Sequence, residues 1–356
     1  MRLIIRFFTP LILLLAMLLP VGAVSAAPAD TAVQPIYIAD LGNSRIVEIA
    51  PDGTQTTIAA GLVNPHGVAV DADGNVYIAE AGRSRVLKVT PDGIQTTVGS
   101  GFVSPFGVAV DADGNVYIAD AGTNEVVKVT PGGTQTTVAT GLSVPLDVAV
   151  DADRNLYIAE TGASRVVRVT PGGTQTTIGA GIVSPLAVAV DTGGNVYIAQ
   201  AGINQVVKVT PDGIQTTVAA GLSASQGVAV DDGGSVYTAD TFNNQVIKVA
   251  PDGTQVIVGA GLNLPTALAV GPAAADDATL LADLHAAVQG VGPGTSLADK
   301  VSAAQTSLAS GDTAGACTTL GVFISEVQAQ TGKKIPAVQA DELIADAQRI
   351  QAVMGC

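Results

Sequence analysis

The segment Ile36-Tyr37-Ile38-Ala39-Asp40 decides the fold, because it returns five more times at offsets of 40 residues with no insertion. The later copies begin at Val76, Val116, Leu156, Val196 and Val236. All 6 Tyr of the sequence occupy the second position of a copy. A fixed period near 40 residues that contains several short strands is typical of a β-propeller.

Each repeat contains four short segments of β-forming residues. In the second copy these are residues 68–70, 76–79, 86–89 and 95–98, with turn signals at 71–75 (DADGN) and 91–93 (PDG). Residues 36–40 correspond to a second strand, and residues 267–270 correspond to a first strand. We therefore predict an all-β six-bladed propeller over residues 36–271, with four-stranded blades and a ring closed by its N- and C-terminal strands.

The wording of the repeat resembles a known family. Residues 64–71 (NPHGVAVD), then 74–80 (GNVYIAE) and 85–86 (RV), resemble the NHL repeat, and the resemblance covers residues 36–271. It implies an NHL-type six-bladed propeller, a fold that mostly serves as a binding platform and in some relatives as a lyase or hydrolase. The sequence departs from this pattern in other repeats. Asp147 and Ala187 stand at positions equivalent to Gly67, and Glu125, Gln205 and Gln245 stand at positions equivalent to Arg85.

The N-terminus has the layout of a secretory signal peptide. Arg2 and Arg6 precede an apolar run at residues 11–21, and small residues follow at 22–27. We predict a signal peptide at residues 1–26 and a linker at 27–35. An uncleaved anchor is the alternative, but the run is short for a membrane span. The prediction is an exported protein whose mature chain does not insert into a membrane.

The net charge narrows the range of partners. The chain has 31 acidic and 16 basic residues, a net charge of −15, and loss of Arg2 and Arg6 makes this −15 − 2 = −17. Such a chain, without basic clusters, would be repelled by phosphate backbones, which excludes nucleic acid as a partner. A protein or carbohydrate ligand at a propeller face is expected instead.

The β pattern stops near Gly271-Pro272. We predict a linker at residues 272–277 and a small all-α domain at 278–356, with helices near 276–289, 296–309, 312–330 and 336–354. Cys317 and Cys356, the 2 Cys of the sequence, meet if the last two helices pack antiparallel. In an exported protein they should form a disulfide; redox catalysis is the alternative, but there is no Cys-x-x-Cys motif.

This tail also resembles a known module. Residues 296–297 (SL), 316–317 (AC), 323–324 (FI), 328–330 (QAQ), 332–334 (GKK) and 355–356 (GC) are similar to the FIMAH domains of bacterial secreted and surface proteins. The resemblance implies a bacterial origin and an accessory or attachment role for the tail.

One repeat position carries five different residue types in its six copies. His66 lies in the predicted loop between a fourth strand and the next first strand, near the propeller axis. Its equivalents are Phe106, Leu146, Leu186, Gln226 and Thr266. Variation within an otherwise uniform repeat is what a specific ligand would require, although drift at a tolerant loop position is the alternative. We predict that His66, Phe106, Asp147 and Gln226 contact a ligand.

Carboxylates form a second ring at the ends of the second strands. Its members are Asp40, Glu80, Asp120, Glu160 and Asp240, with Gln200 as the exception. Arg45, Arg85 and Arg165 follow five residues later and favour ion pairs within the blade. Where Glu125 replaces the Arg, Asp120, Glu125 and Asp147 suggest an acidic site for Ca²⁺ or another divalent cation. The competing prediction is that no cofactor is bound.

Catalytic motifs are few. The chain has 2 His, His66 and His285, too few for a three-histidine zinc site, and it has no Gly-x-Ser-x-Gly or P-loop motif. We name no catalytic residue. The sequence favours an exported, non-catalytic binding or scaffold protein. The alternatives are a lyase or lactone hydrolase with a cation site near the propeller axis, and a structural repeat protein of the envelope.

Overall fold

The computed structural model describes residues 34–273, 277–292 and 296–356. The predicted signal peptide at 1–26, most of the linker at 27–35 and part of the linker at 272–277 lie outside these residues. The described residues form six four-stranded antiparallel sheets followed by four helices. The predicted fold class, a six-bladed propeller with a small helical part, is confirmed.

We number the strands β1 to β24 along the chain. The first strands of the blades are β4 (Pro65–Val70), β8 (Pro105–Val110), β12 (Pro145–Val150), β16 (Pro185–Val190), β20 (Ser225–Val230) and β24 (Pro265–Val270). The second strands are β1 (Ile36–Asp40), β5 (Val76–Glu80), β9 (Val116–Asp120), β13 (Leu156–Glu160), β17 (Val196–Gln200) and β21 (Val236–Asp240). The third strands are β2 (Arg45–Ile49), β6 (Arg85–Val89), β10 (Glu125–Val129), β14 (Arg165–Val169), β18 (Gln205–Val209) and β22 (Gln245–Val249). The fourth strands, at the outer edges, are β3 (Gln55–Ala60), β7 (Gln95–Val98), β11 (Gln135–Ala139), β15 (Gln175–Ile178), β19 (Gln215–Ala220) and β23 (Gln255–Val258).

The ring closes between the two ends of the repeat region. β24 pairs with β1 in the sheet order β24-β1-β2-β3, with Ile36 opposite Val270 and Ile38 opposite Leu268. The C-terminal strand therefore completes the blade that the N-terminal strands begin, as predicted. Closure is favourable because an open ring would expose two apolar blade faces.

The hydrophobic core lies between neighbouring blades. Every residue of each second strand is buried, because blades pack against both of its faces. Between the first two blades, Tyr37 and Ile46 of one pack with Val68, Ile78 and Leu87 of the next. The repeat therefore supplies the same apolar contact at each blade boundary, and burial of this surface stabilises the ring.

The hairpin between the first and second strands is fixed by the repeated Tyr. The Asp71 carboxylate accepts hydrogen bonds from the backbone N–H of Asn75 (2.9 Å) and from the Tyr77 hydroxyl (2.9 Å). The same Tyr–Asp bond recurs at Tyr117, Tyr157, Tyr197 and Tyr237. The DADGN segments are therefore hairpin turns, as the sequence favoured.

The helical region contains α1 (Asp277–Ala287), α2 (Ser296–Ala309), α3 (Thr313–Gln330) and α4 (Ala337–Met354). They share an apolar core that includes Leu281, Val301, Phe323 and Leu343. Asp312 caps α3 by accepting the Gly315 N–H. Cys317 and Cys356 are disulfide-bonded, with Cα atoms 5.8 Å apart. Among the described helices, none combines the length and apolar character that crossing a membrane would need.

Candidate functional site

The six first strands enclose a cavity on the propeller axis. Each strand contacts its two neighbours around the ring, and the second to sixth residues of every first strand line a space of about 270 Å³. The wall is mostly Val, Ala and Leu. Clefts of this kind, apolar with a few polar groups, are the usual form of small-molecule sites.

A bulge in each first strand sets the direction of the variable residue equivalent to His66. The pairing of β4 with β5 shifts between Pro65 and Gly67, so His66 has no partner across the sheet. The same shift occurs at the equivalent place in every blade. His66 is therefore the second residue of a strand, not part of the preceding loop as the sequence suggested. Such bulges redirect a side chain away from the regular alternation.

His66 and Phe106 form an aromatic pair on this wall. Their ring centroids lie 4.3 Å apart with an interplanar angle of 35°. Burial lowers the pKa of His66 to about 4, because a buried imidazolium loses its hydration. The imidazole is consequently neutral at pH 7, with one nitrogen able to accept a hydrogen bond and the other able to donate one.

The four further ring residues differ in the chemical groups that they present to the cavity. Leu146 and Leu186 add apolar surface, and Gln226 adds an amide. Thr266 is 3% exposed, and its hydroxyl lies 3.3 to 3.4 Å from the backbone carbonyl oxygens of Ala39, Pro65 and His66. The Thr266 hydroxyl is therefore engaged by the backbone. All four residues predicted to contact a ligand line the cavity.

Asp147 places a carboxyl group on the same wall. The equivalent residues are small because neighbouring backbone is close: a Cβ on Gly67 would lie 2.2 Å from the Phe106 carbonyl oxygen. Asp147 Oδ2 accepts a hydrogen bond of 2.9 Å from the Val188 N–H of the next blade. Burial raises the pKa of Asp147 to about 7, since removal from water penalises the charged form.

The structure does not assemble the predicted acidic site. Asp120 accepts hydrogen bonds from the backbone N–H groups of Val103 (2.9 Å), Ser104 (2.8 Å) and Gly122 (3.1 Å). Glu125 accepts a hydrogen bond from the Thr137 hydroxyl at 3.3 Å. Asp147 instead faces the axis. In the described part of the chain, no group of three or more His, Cys, Asp or Glu is arranged to hold a metal ion.

The ring of carboxylates has a structural role in the blades. Arg45, Arg85 and Arg165 pair with Asp40 (2.7 Å), Glu80 (2.6 Å) and Glu160 (2.8 Å). The carboxylates are at most 2% exposed, and several accept an N–H from the loop that enters the blade. Gln200 keeps this loop bond through Val183 N–H, at 2.8 Å, but its Nε2 is buried without a partner.

His285 lies far from this chemistry in the sequence and contacts polar side chains of the helical region. Its Nδ1 is 3.3 Å from the Ser302 hydroxyl, and its Nε2 is 2.8 Å from Gln289 Nε2. His285 is therefore held by polar contacts within the helical region.

Sequence reasoning missed much of the apolar wall. The sequence predicts only that Val68 and Val70 belong to a strand, yet in the structure they line the cavity together with Ala69. Three consecutive lining residues at the inner edge of a blade do not follow the alternation of a half-buried strand. The run of apolar residues without alternation was the available signal.

The sequence of the propeller region also matches a known protein family. The profile of the Virginiamycin B lyase family matches residues 19–249. The chain belongs to the virginiamycin B lyase family. A search of curated proteins found no match to this sequence.

Solved structures give the same fold. The propeller resembles a structure titled as a nidogen/laminin complex (16% identity, 67% of this chain and 98% of that chain covered, TM-score 0.62). It also resembles a catalytically inactive histidine-to-alanine variant of virginiamycin B lyase from Staphylococcus aureus with quinupristin (15% identity, 65% of this chain and 85% of that chain covered, TM-score 0.51). A third similar structure is a putative gluconolactonase (19% identity, 58% of this chain and 81% of that chain covered, TM-score 0.50). At these identities the likeness establishes the fold alone. The resemblance of the tail to FIMAH domains stays a prediction.

Proposed function

We propose that this family member is an exported binding protein that holds a small, largely apolar ligand in the axial cavity. The observation that carries the proposal is the meeting of unlike side chains at one repeat position: His66 packs against Phe106, and two leucines, an amide and a threonine complete the ring. The apolar surface supplies affinity, and His66 and Gln226 supply hydrogen bonds that fix the orientation of the ligand. Export is supported by the disulfide of the tail and by the signal-like N-terminus.

The low basicity of His66 favours ligand binding over proton transfer by this residue. An imidazole with a pKa of about 4 accepts a proton poorly at pH 7. Among the described residues, no titratable side chain forms a hydrogen bond with His66, and its ring partner is the apolar Phe106. These features suit recognition of a ligand more than proton transfer to it.

The test uses the two histidines as reporters. In ¹H–¹³C spectra the imidazole Cε1–H groups of His66 and His285 give one signal each, assigned with His66→Gln. A panel of neutral aromatic and aliphatic alcohols of about ten heavy atoms is titrated into the protein. The proposal expects saturable shifts of the His66 signal with the His285 signal unchanged, and weaker binding in Phe106→Ala than in Ile94→Ala, a change in an exposed turn. A panel that leaves His66 unmoved overturns it.

A lyase or ester hydrolase is the second candidate, favoured by family membership and by the presence of His66 and Asp147 on one wall. Quinupristin, the compound in one similar structure, is the probe. Ring opening by elimination leaves the mass of a cyclic ester unchanged, whereas hydrolysis adds one water. Cleavage that disappears in His66→Gln would establish this activity. Quinupristin that remains intact would leave the binding role alone.

A further inference from the structure

The cavity wall carries one acid, one histidine and no permanently charged base. Of its lining residues, β4 contributes His66 and β12 contributes Asp147, and the other four strands contribute no titratable group. The wall has no Lys or Arg. His66 is held neutral by burial. The Asp147 carboxylate therefore has no positive partner among the residues that face it across the cavity.

Asp147 lies on the cavity wall with its carboxyl held by neutral backbone donors. It accepts hydrogen bonds from the backbone N–H groups of Val188, at 2.9 Å to Oδ2, and of Val148, and the residue keeps an intermediate exposure. Because Asp147 lines the cavity, that exposure is toward the space a ligand would fill. A carboxylate removed from bulk water and held only by neutral backbone donors is costly to keep ionised unless a cationic partner binds.

Folding of the blade does not require this acid. The same position is Gly67, Gly107 and Gly227 in three blades and Ala187 and Ala267 in two others. A Cβ on Gly227 would lie 2.3 Å from the Thr266 carbonyl oxygen, so the repeat is built for a very small residue there. An acid at one such place out of six adds a chemical property to the cavity that the ring itself does not need.

We propose that the cavity selects a small organic ammonium ion, whose charge pairs with Asp147 while its apolar body lies against Phe106, Leu146 and Leu186. The inference rests on the proposed binding function and names the class of ligand. The volume of about 270 Å³ limits the ligand to a small molecule. The face of Phe106 adds a second favourable contact for a cation.

The pairing makes binding depend on pH in a defined direction. Burial sets the pKa of Asp147 at about 7 in the free protein, so the ionised fraction falls from about nine-tenths at pH 8 to about one-tenth at pH 6. An aliphatic ammonium with a pKa of about 10 stays charged over this range, and His66 stays neutral. Affinity for the ammonium should therefore be about tenfold weaker at pH 6 than at pH 8.

The test is calorimetry of the purified protein with three ligands of one shape and different charge: 2-phenylethylammonium, 2-phenylethanol and 3-phenylpropanoate. At pH 8 the ammonium is expected to bind at least tenfold more tightly than the alcohol, and the propanoate more weakly than both. Asp147→Asn should remove the preference, and Asp73→Asn, in an exposed turn, should retain it. Thermal unfolding of both variants checks that they are folded.

The outcomes separate the two proposals. If the ammonium and the alcohol bind equally in the wild type and in Asp147→Asn, the inference about charge is overturned and the binding function stands. If none of the three ligands binds, both the proposed function and the inference about charge are overturned. A preference for the ammonium that persists in Asp147→Asn places the selectivity elsewhere and also overturns the inference.

Discussion

The ring of His66 lies 4.3 Å from that of Phe106 although the two residues belong to different blades. They occupy the same position of consecutive repeats, and the closed ring places all such positions around one axis. A fold made of nearly identical units can thereby build an asymmetric site, because a single variable position per unit is enough. The uniform residues maintain the blades, and the variable ones determine what the cavity recognises.

Acidification should weaken the fold through His66. Its pKa is 6.5 when unperturbed and about 4 in the folded protein, so between these values the unfolded chain binds more protons. The free energy of unfolding therefore falls as pH drops from 6.5 to 4. We expect His66→Gln to reduce this fall by on the order of 2 kcal/mol. Urea unfolding at several pH values measures it, and parallel curves for both proteins would contradict the burial of the imidazole.

Asp147 should act in the opposite direction. Its pKa rises from 3.8 to about 7 on folding, so the folded state binds more protons between these values and loses stability as pH rises through them. Asp147→Asn should stabilise the protein by on the order of 2 kcal/mol at pH 8 and by less at pH 5. The same urea series tests this, with Asp73→Asn as the control. A destabilised Asp147→Asn at pH 8 would refute the prediction.

An ion pair like that of the neighbouring blade should be restorable at Gln200. Its Nε2 is buried without a partner, whereas Glu160 at the equivalent position pairs with Arg165 at 2.8 Å. Gln200→Glu alone should destabilise because it buries an unpaired charge. Together with Gln205→Arg it should recover at least the wild-type stability. A double-mutant cycle measures the coupling, expected to be about 1–3 kcal/mol, and an additive cycle would contradict the pairing.

Divalent cations should not stabilise the protein. Asp120 is engaged by three backbone N–H groups and Asp147 faces the axis, so the pair does not present one set of ligands. Thermal unfolding in EDTA and then in excess Ca²⁺, Mg²⁺, Mn²⁺ or Zn²⁺ is expected to give the same midpoint. A saturable rise with one ion, lost in Asp120→Ala, would instead establish the acidic site that the sequence suggested.

The architecture was readable from the sequence because every unit repeats the same signals. The Tyr77 position marks each second strand, the DADGN turns mark each hairpin, and the 40-residue offset gives the number of blades. The helices were readable from their apolar periodicity, and the disulfide was readable from the 2 Cys and the predicted antiparallel packing of the last two helices.

The details of the site were less accessible, because they depend on side-chain direction. The register of the repeats predicts that Asp120 and Asp147 belong to neighbouring blades. It does not predict that the Asp120 carboxylate points at the loop and the Asp147 carboxyl at the axis. The bulge at His66 moves that residue from a predicted loop onto a strand. The pKa changes of His66 and Asp147 follow from burial in the assembled ring, which no single repeat reveals.

The central claim is that the axial cavity binds a ligand against His66. The most direct measurement is the imidazole Cε1–H signal of His66 during titration with 2-phenylethylammonium at pH 8. The account predicts a saturable shift of that signal, no shift of the His285 signal, and loss of the effect in Phe106→Ala. A His66 signal that stays fixed at saturating ligand, or that moves together with His285 without saturation, would contradict it.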